Sequence, residues 1–152
     1  MMEKDLLCQT VKDALDELYK NDLYLISNEN EGYKYVSERG IVFRFGIYFD
    51  KLVNERFPEY NVDSEYNRNN GEKKILPNRR NGAFPDIIVH KRGSNTDNLL
   101  VIEFKTWWNP DTREDEGKIR EFCNKKGVYK FYMGAVIVLG RTRGDVEINY
   151  FE

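Results

Sequence analysis

The chain has 152 residues, with 24 Lys and Arg against 26 Asp and Glu, a net charge of −2 and a single histidine. That length suits one self-sufficient domain, and 40% hydrophobic with 33% charged residues describes a globular, well-solvated chain rather than a disordered one. Near-neutral charge excludes a uniformly basic nucleic-acid binder, so any contact with a polyanion would come from a local patch.

In chain order, Leu6, Leu7, Val11, Leu15 and Leu18 recur at three- to four-residue steps and predict a helix over 3–20, ended by Asn21-Asp22. Leu23 to Ile26 reads as a short strand. A second helix is expected from Glu38 to Arg56, with Ser37 as N-cap, an apolar stripe from Ile41 to Val53, and Pro58 as the stop. Residues 60–68 alternate as a strand, and 69–82 form a loop rich in Gly, Asn and Pro. Ala83–Lys91 and Leu99–Thr106 read as a hairpin around a turn from Gly93 to Asn98. A third helix is expected over 111–126, capped by Asp111 or Thr112, with a thin apolar side of Ile119, Phe122 and Cys123. Tyr129–Leu139 and Asp145–Phe151 complete the strands. Three consecutive strands, then a crossover helix into an apolar strand, predict an α/β (α+β) fold with a mixed central sheet flanked by helices. The expected organisation is a single domain, 1–152, with its core at about 37–140 and the 3–20 helix packed on it.

Several chemistries are excluded. A lone His90 cannot supply two-histidine ribonuclease or HExxH chemistry, and neither GxSxG nor GxxxxGK[ST] occurs. Cys8 and Cys123 are isolated, too few for structural zinc, and fit a reducing compartment. No apolar run nears the ~20 residues that span a bilayer, and MMEKDLLCQT lacks a signal-peptide layout, so a cytoplasmic location without membrane contact is expected. Carboxylates and lysines remain as the reactive groups.

They gather at Pro85-Asp86 and at Val101-Ile102-Glu103-Phe104-Lys105. Strand alternation puts Glu103 and Lys105 on one face, with Ile102 and Phe104 supplying the buried face opposite. Asp86 opens the partner strand and can approach the same side. An ExK triplet is ordinarily a solvated ion pair, but this one interrupts an apolar strand, where charge is costly unless paired or coordinated. Two carboxylates about 4 Å apart repel by roughly 4 kcal/mol at an effective dielectric near 20. A divalent cation offsets that best, and Mg²⁺ needs only one or two carboxylates with waters on its other positions.

The pattern Pro85-Asp86…Glu103-Phe104-Lys105 resembles the PD-(D/E)XK nuclease superfamily, which includes restriction endonucleases and Holliday-junction resolvases, over roughly residues 37–140. VDSEYNR and PDIIVHKRG resemble an uncharacterised bacterial branch of it. The resemblance implies a restriction-endonuclease-like core and a nuclease using Mg²⁺ or Mn²⁺, with DNA the expected substrate. It implies catalytic roles for Asp86, Glu103 and Lys105, metal ligation by Asp86, Glu103, the Phe104 carbonyl and Glu38, and water orientation by Lys105. The alternative is an inactive nuclease-fold protein that binds nucleic acid or a protein partner. A homodimer is compatible with either reading.

Neighbouring residues carry weaker expectations. Glu38 reads equally as ligand or as a favourable charge in a first helical turn. Arg68, Lys73, Lys74, Arg79 and Arg80 form a basic segment suited to gripping a phosphate backbone. Asp63 and Glu65 either extend the acidic pocket or, the favoured reading, pair with Arg68 and nearby lysines. His90 is expected as a half-buried polar residue rather than a pocket residue. One of Trp107 and Trp108 should pack in the core, and the other could stack on a base. The charges of the third helix read mostly as an exposed, salt-bridged face, with Lys118 a weak candidate for pointing at the site.

Overall fold

A computed structural model describes residues 3–27, 37–66 and 84–152. Helix α1 (Glu3–Ile26) and helix α2 (Glu38–Arg56) precede β1 (Asn61–Ser64), β2 (Ile87–His90) and β3 (Leu100–Thr106). Helix α3 (Arg113–Cys123), β4 (Met133–Leu139), a 3-10 turn at Arg143–Asp145 and β5 (Glu147–Phe151) follow. The five strands lie in the order β1-β2-β3-β4-β5. Every pair is antiparallel except β3 and β4, which run parallel. A parallel pair requires a crossover connection, and α3 supplies it. The fold is therefore α/β, a mixed sheet flanked by helices, as the element order predicts.

Side-chain parity sorts the core into two layers. Ile87, Val89, Ile102, Phe104 and Ile137 pack with Leu7, Leu15, Phe45 and Phe49 of α1 and α2. Ile88, Val101 and Val136 pack with Ile119 and Phe122 of α3. A close approach at Gly134 seats α3. A Cβ there would lie 2.4 Å from Ile119 Cγ2 and 2.9 Å from Cys123 Sγ, so the helix rests on bare backbone. Strand alternation alone predicts one buried face for β3. With α3 on the other side both faces are covered, and Glu103 is only 3% exposed.

Several boundaries differ from expectation, each for a local reason. Helix α1 does not stop at Asn21-Asp22 but kinks at Asp22 (φ −126°, ψ 24°) and continues to Ile26, so Leu23–Ile26 is helical rather than a strand. The Asp22 carboxylate is pinned by Arg44 Nε at 3.1 Å and by the Tyr48 hydroxyl, while Trp107 Nε1–H donates to the Ile26 carbonyl at 3.0 Å. Strand β1 ends at Ser64 because Glu65 takes a left-handed φ of 51°. Strand β2 begins only after Asp86, and Glu65 N–H bonds the Pro85 carbonyl outside the ladder. Lys130 (φ 50°) interrupts the chain before β4, leaving Tyr129 and Phe131 buried beside Phe122 outside the strand. Helix α3 is shorter than 111–126, and Asp145 belongs to the 3-10 turn rather than to β5.

Candidate active site

The β2–β3 register pairs Ile88 with Val101 and Ile87 with Ile102; one further step sets Asp86 opposite Glu103, on the α3 side of the sheet. Asp86 is fixed by the Phe104 N–H, which donates to its Oδ2 at 2.8 Å. That bond ties the end of the chain before β2 to the middle of β3. Phe104 thus contributes backbone to the site, while its ring packs edge-on to Phe45 in the core.

Helix α3 completes the arrangement. Asp115 and Lys118, three residues apart, share one helix face. Lys118 Nζ lies 2.6 Å from Glu103 Oε1 and donates to the Phe84 carbonyl at 2.9 Å. Asp115 Oδ2 lies 3.2 Å from Lys105 Nζ. The Glu-x-Lys of β3 and the Asp-x-x-Lys of α3 therefore exchange partners, acid to base, across the packed interface. Despite these short distances, neither Glu103 Oε1 nor Asp115 Oδ2 meets a hydrogen-bond partner of good geometry.

Lysine compensates only part of the acidic charge. Burial pushes the Glu103 carboxyl well above its usual range, and the charge of Asp86 pushes it further. Burial also raises Asp86, opposed by the Phe104 N–H and Lys118. Glu38, in the first turn of α2, is raised to about 7, first by burial and then by Asp86, with Lys105 opposing. Burial favours the neutral form of Lys105, but Asp115, Glu38 and Asp86 outweigh it and hold the ammonium. Fully ionised, four carboxylates (Glu38, Asp86, Glu103, Asp115) face two ammoniums (Lys105, Lys118), an excess of two negative charges.

Space adjoins this cluster. A cavity of about 330 Å³ is lined by Glu38, Arg39, Val42, Ser64, Glu65 and Asp86. Lys105 lines a second one of about 380 Å³ with Asn109, Asp111, Arg113 and Glu114. Among the described residues, no group of three or more His, Cys, Asp or Glu side chains is set to hold a metal ion on its own. The donor set nevertheless fits Mg²⁺. Two hard carboxylates lie side by side, and the cavity beside Asp86 has room for water.

The structure thus brings together Asp86, Glu103, Lys105 and Glu38. Arg68, Lys73, Lys74, Arg79 and Arg80 lie outside the described residues. His90 is not half-buried but 2% exposed, its Nε2 2.7 Å from Asp63 Oδ2. Asp63 also accepts from Arg92 Nε at 2.8 Å and Nη2 at 2.7 Å, so it belongs to a separate structural network. Glu65 pairs with Arg39 at 3.3 Å, and both line the cavity. Trp107 and Trp108 meet edge to face at 5.3 Å, with the Arg141 guanidinium 4.1 Å over Trp107. Asp115 is not among the residues that the sequence singles out, because the charges of α3 read mostly as an exposed face. The signal was spacing: Asp115 stands four and seven residues before Ile119 and Phe122, in line with the buried stripe.

No family model matches the chain, and neither the curated proteins nor the solved structures contain a significant match. Among the described residues, no helix is long and apolar enough to cross a membrane.

Proposed function

We propose that the protein is a nuclease of the PD-(D/E)XK type that hydrolyses phosphodiester bonds, in DNA first, with Mg²⁺ or Mn²⁺. One observation carries this reading: half-buried Asp86 lies beside buried Glu103, with more carboxylate than ammonium around them. Burying such an excess of charge is unfavourable for a scaffold and useful for gathering a divalent cation.

Asp86 and Glu103 would hold the cation, with Glu38 near enough to join through water. When bound, the cation would polarise a phosphoryl oxygen and lower the pKa of an attacking water. The Phe104 N–H keeps Asp86 aimed into the site. Lys105, held charged by Asp115, would orient the attacking water and offset charge developing on the phosphate. Asp115 positions Lys105.

A second reading, a nuclease-fold protein that binds without cutting, draws on Lys118, which occupies Glu103 as a counter-cation. Cleavage of labelled single-stranded, duplex and branched DNA and of RNA separates the two. The nuclease reading expects hydrolysis with Mg²⁺ or Mn²⁺, abolished by EDTA, by Asp86→Asn and by Glu103→Gln. Binding of any of these without cleavage under either metal would favour the second reading.

A further inference from the structure

We propose that Lys118 is an internal counter-cation of Glu103, which a divalent ion must displace, so that this α3 lysine sets the metal affinity of the site. The inference rests on the metal-dependent reading above and deepens it.

Lys118 differs from the other cations of α3. Its side chain is 13% exposed, and its ammonium is shared between Glu103 Oε1 at 2.6 Å and the Phe84 carbonyl at 2.9 Å. Arg113 is 88% exposed and pairs with Asp111, while Arg120 lies over the Phe151 ring. Lys118 is thus one positive charge parked on the carboxylate whose partner is Asp86. An ammonium and a hydrated divalent ion cannot share one carboxylate oxygen at contact distance without strong mutual repulsion. The alternative donor contact is already in place. Phe84 directly precedes Pro85-Asp86 and is 49% exposed, so an ammonium released from Glu103 keeps its carbonyl acceptor at the rim of the site. The displaced charge then stands where a substrate phosphate approaches Asp86.

Mn²⁺ titration of the full chain by calorimetry tests this, comparing wild type with Lys118→Met and with Lys118→Gln. Gln retains a donor for the Phe84 carbonyl and serves if the Met variant does not fold. The expected result is about tenfold tighter Mn²⁺ binding in either variant, with a larger Mn²⁺-induced rise in Tm than in wild type. In wild type, ¹⁵N spectra of the lysine ammonium groups should show Lys118 shielded from exchange without metal and shifted by Mg²⁺. Equal or weaker Mn²⁺ binding in the variants, with an unmoved Lys118 signal, would overturn the inference and leave the metal reading standing. No Mn²⁺ binding by wild type or variants would overturn both.

Discussion

Lys105 and Asp115 join β3 to α3, the lysine Nζ lying 3.2 Å from the aspartate Oδ2, and this pair keeps an ammonium beside the carboxylates of Asp86 and Glu38. Strand and helix are joined by the six residues 107–112, so the contact depends on how the helix packs back on the sheet. It also gives the lysine two separable roles, charge balance for Asp115 and, in the proposed reaction, water orientation.

Lys105→Met should therefore lose metal-dependent cleavage by about 10²-fold or more. It should also cost about 1–3 kcal/mol of stability, because Asp115, whose side chain is 14% exposed, is left without its cation. The double variant Lys105→Met with Asp115→Leu should recover most of that stability and none of the activity. Thermal melts and cleavage rates on the four proteins form a double-mutant cycle; recovery of activity in the double variant would contradict the role given to Lys105.

Glu38 makes stability depend on pH in a stated direction. Its carboxyl is raised from 4.5 in an unfolded chain to about 7 in the fold, so the folded state holds the proton longer. Its contribution to stability is fully present below about 4.5 and is lost as pH rises toward 7. Glu38→Gln removes that loss. Because the site is open to solvent on one side, the gain at pH 8 should be modest, a Tm higher by about 2–6 °C, and should vanish near pH 4. A constant offset at all pH values would mean that helix-end effects, not titration, govern Glu38.

Asp63 behaves in the opposite sense. Burial pushes its carboxyl up, but hydrogen bonds from His90 and Arg92 outweigh this and hold it at about 2. The associated stability is present above the usual 3.8 and is lost as pH falls toward 2. Asp63→Asn should cost about 2 kcal/mol at pH 7 and progressively less below pH 4, as read by urea unfolding across pH. Cleavage should be retained, since the Asp63–His90–Arg92 network stands apart from the carboxylate site.

Gly134 links packing to the site. An added methyl would meet Ile119 and Cys123 below any tolerable separation, so Gly134→Ala should lift α3 off β4. The expected cost is about 1–3 kcal/mol, accompanied by weaker Mn²⁺ binding or altered metal dependence, because Asp115 and Lys118 ride on the same helix. Pairing Gly134→Ala with Ile119→Leu, which removes the β-branched Cγ2 methyl nearest to position 134, should restore part of both. A Gly134→Ala protein with wild-type Tm would show that α3 shifts freely.

The local sequence by itself determined what period and punctuation can determine. Alternation along LVIEFKT put Glu103 and Lys105 on one face, and hairpin spacing brought Asp86 to the same side, because both follow from backbone geometry within a few residues. The span of α2 and the mixed sheet were legible for the same reason. Only the tertiary structure decided the rest. Asp22 bends α1 instead of ending it because Arg44 and Tyr48, more than twenty residues away, hold its carboxylate. His90 is buried because Asp63 and Arg92 converge on the same edge of the sheet. Asp115 and Lys118 belong to the site, not to the surface, because Gly134 lets α3 settle against β4 and turns that face of the helix onto β3, a long-range approach that no local pattern of charge encodes.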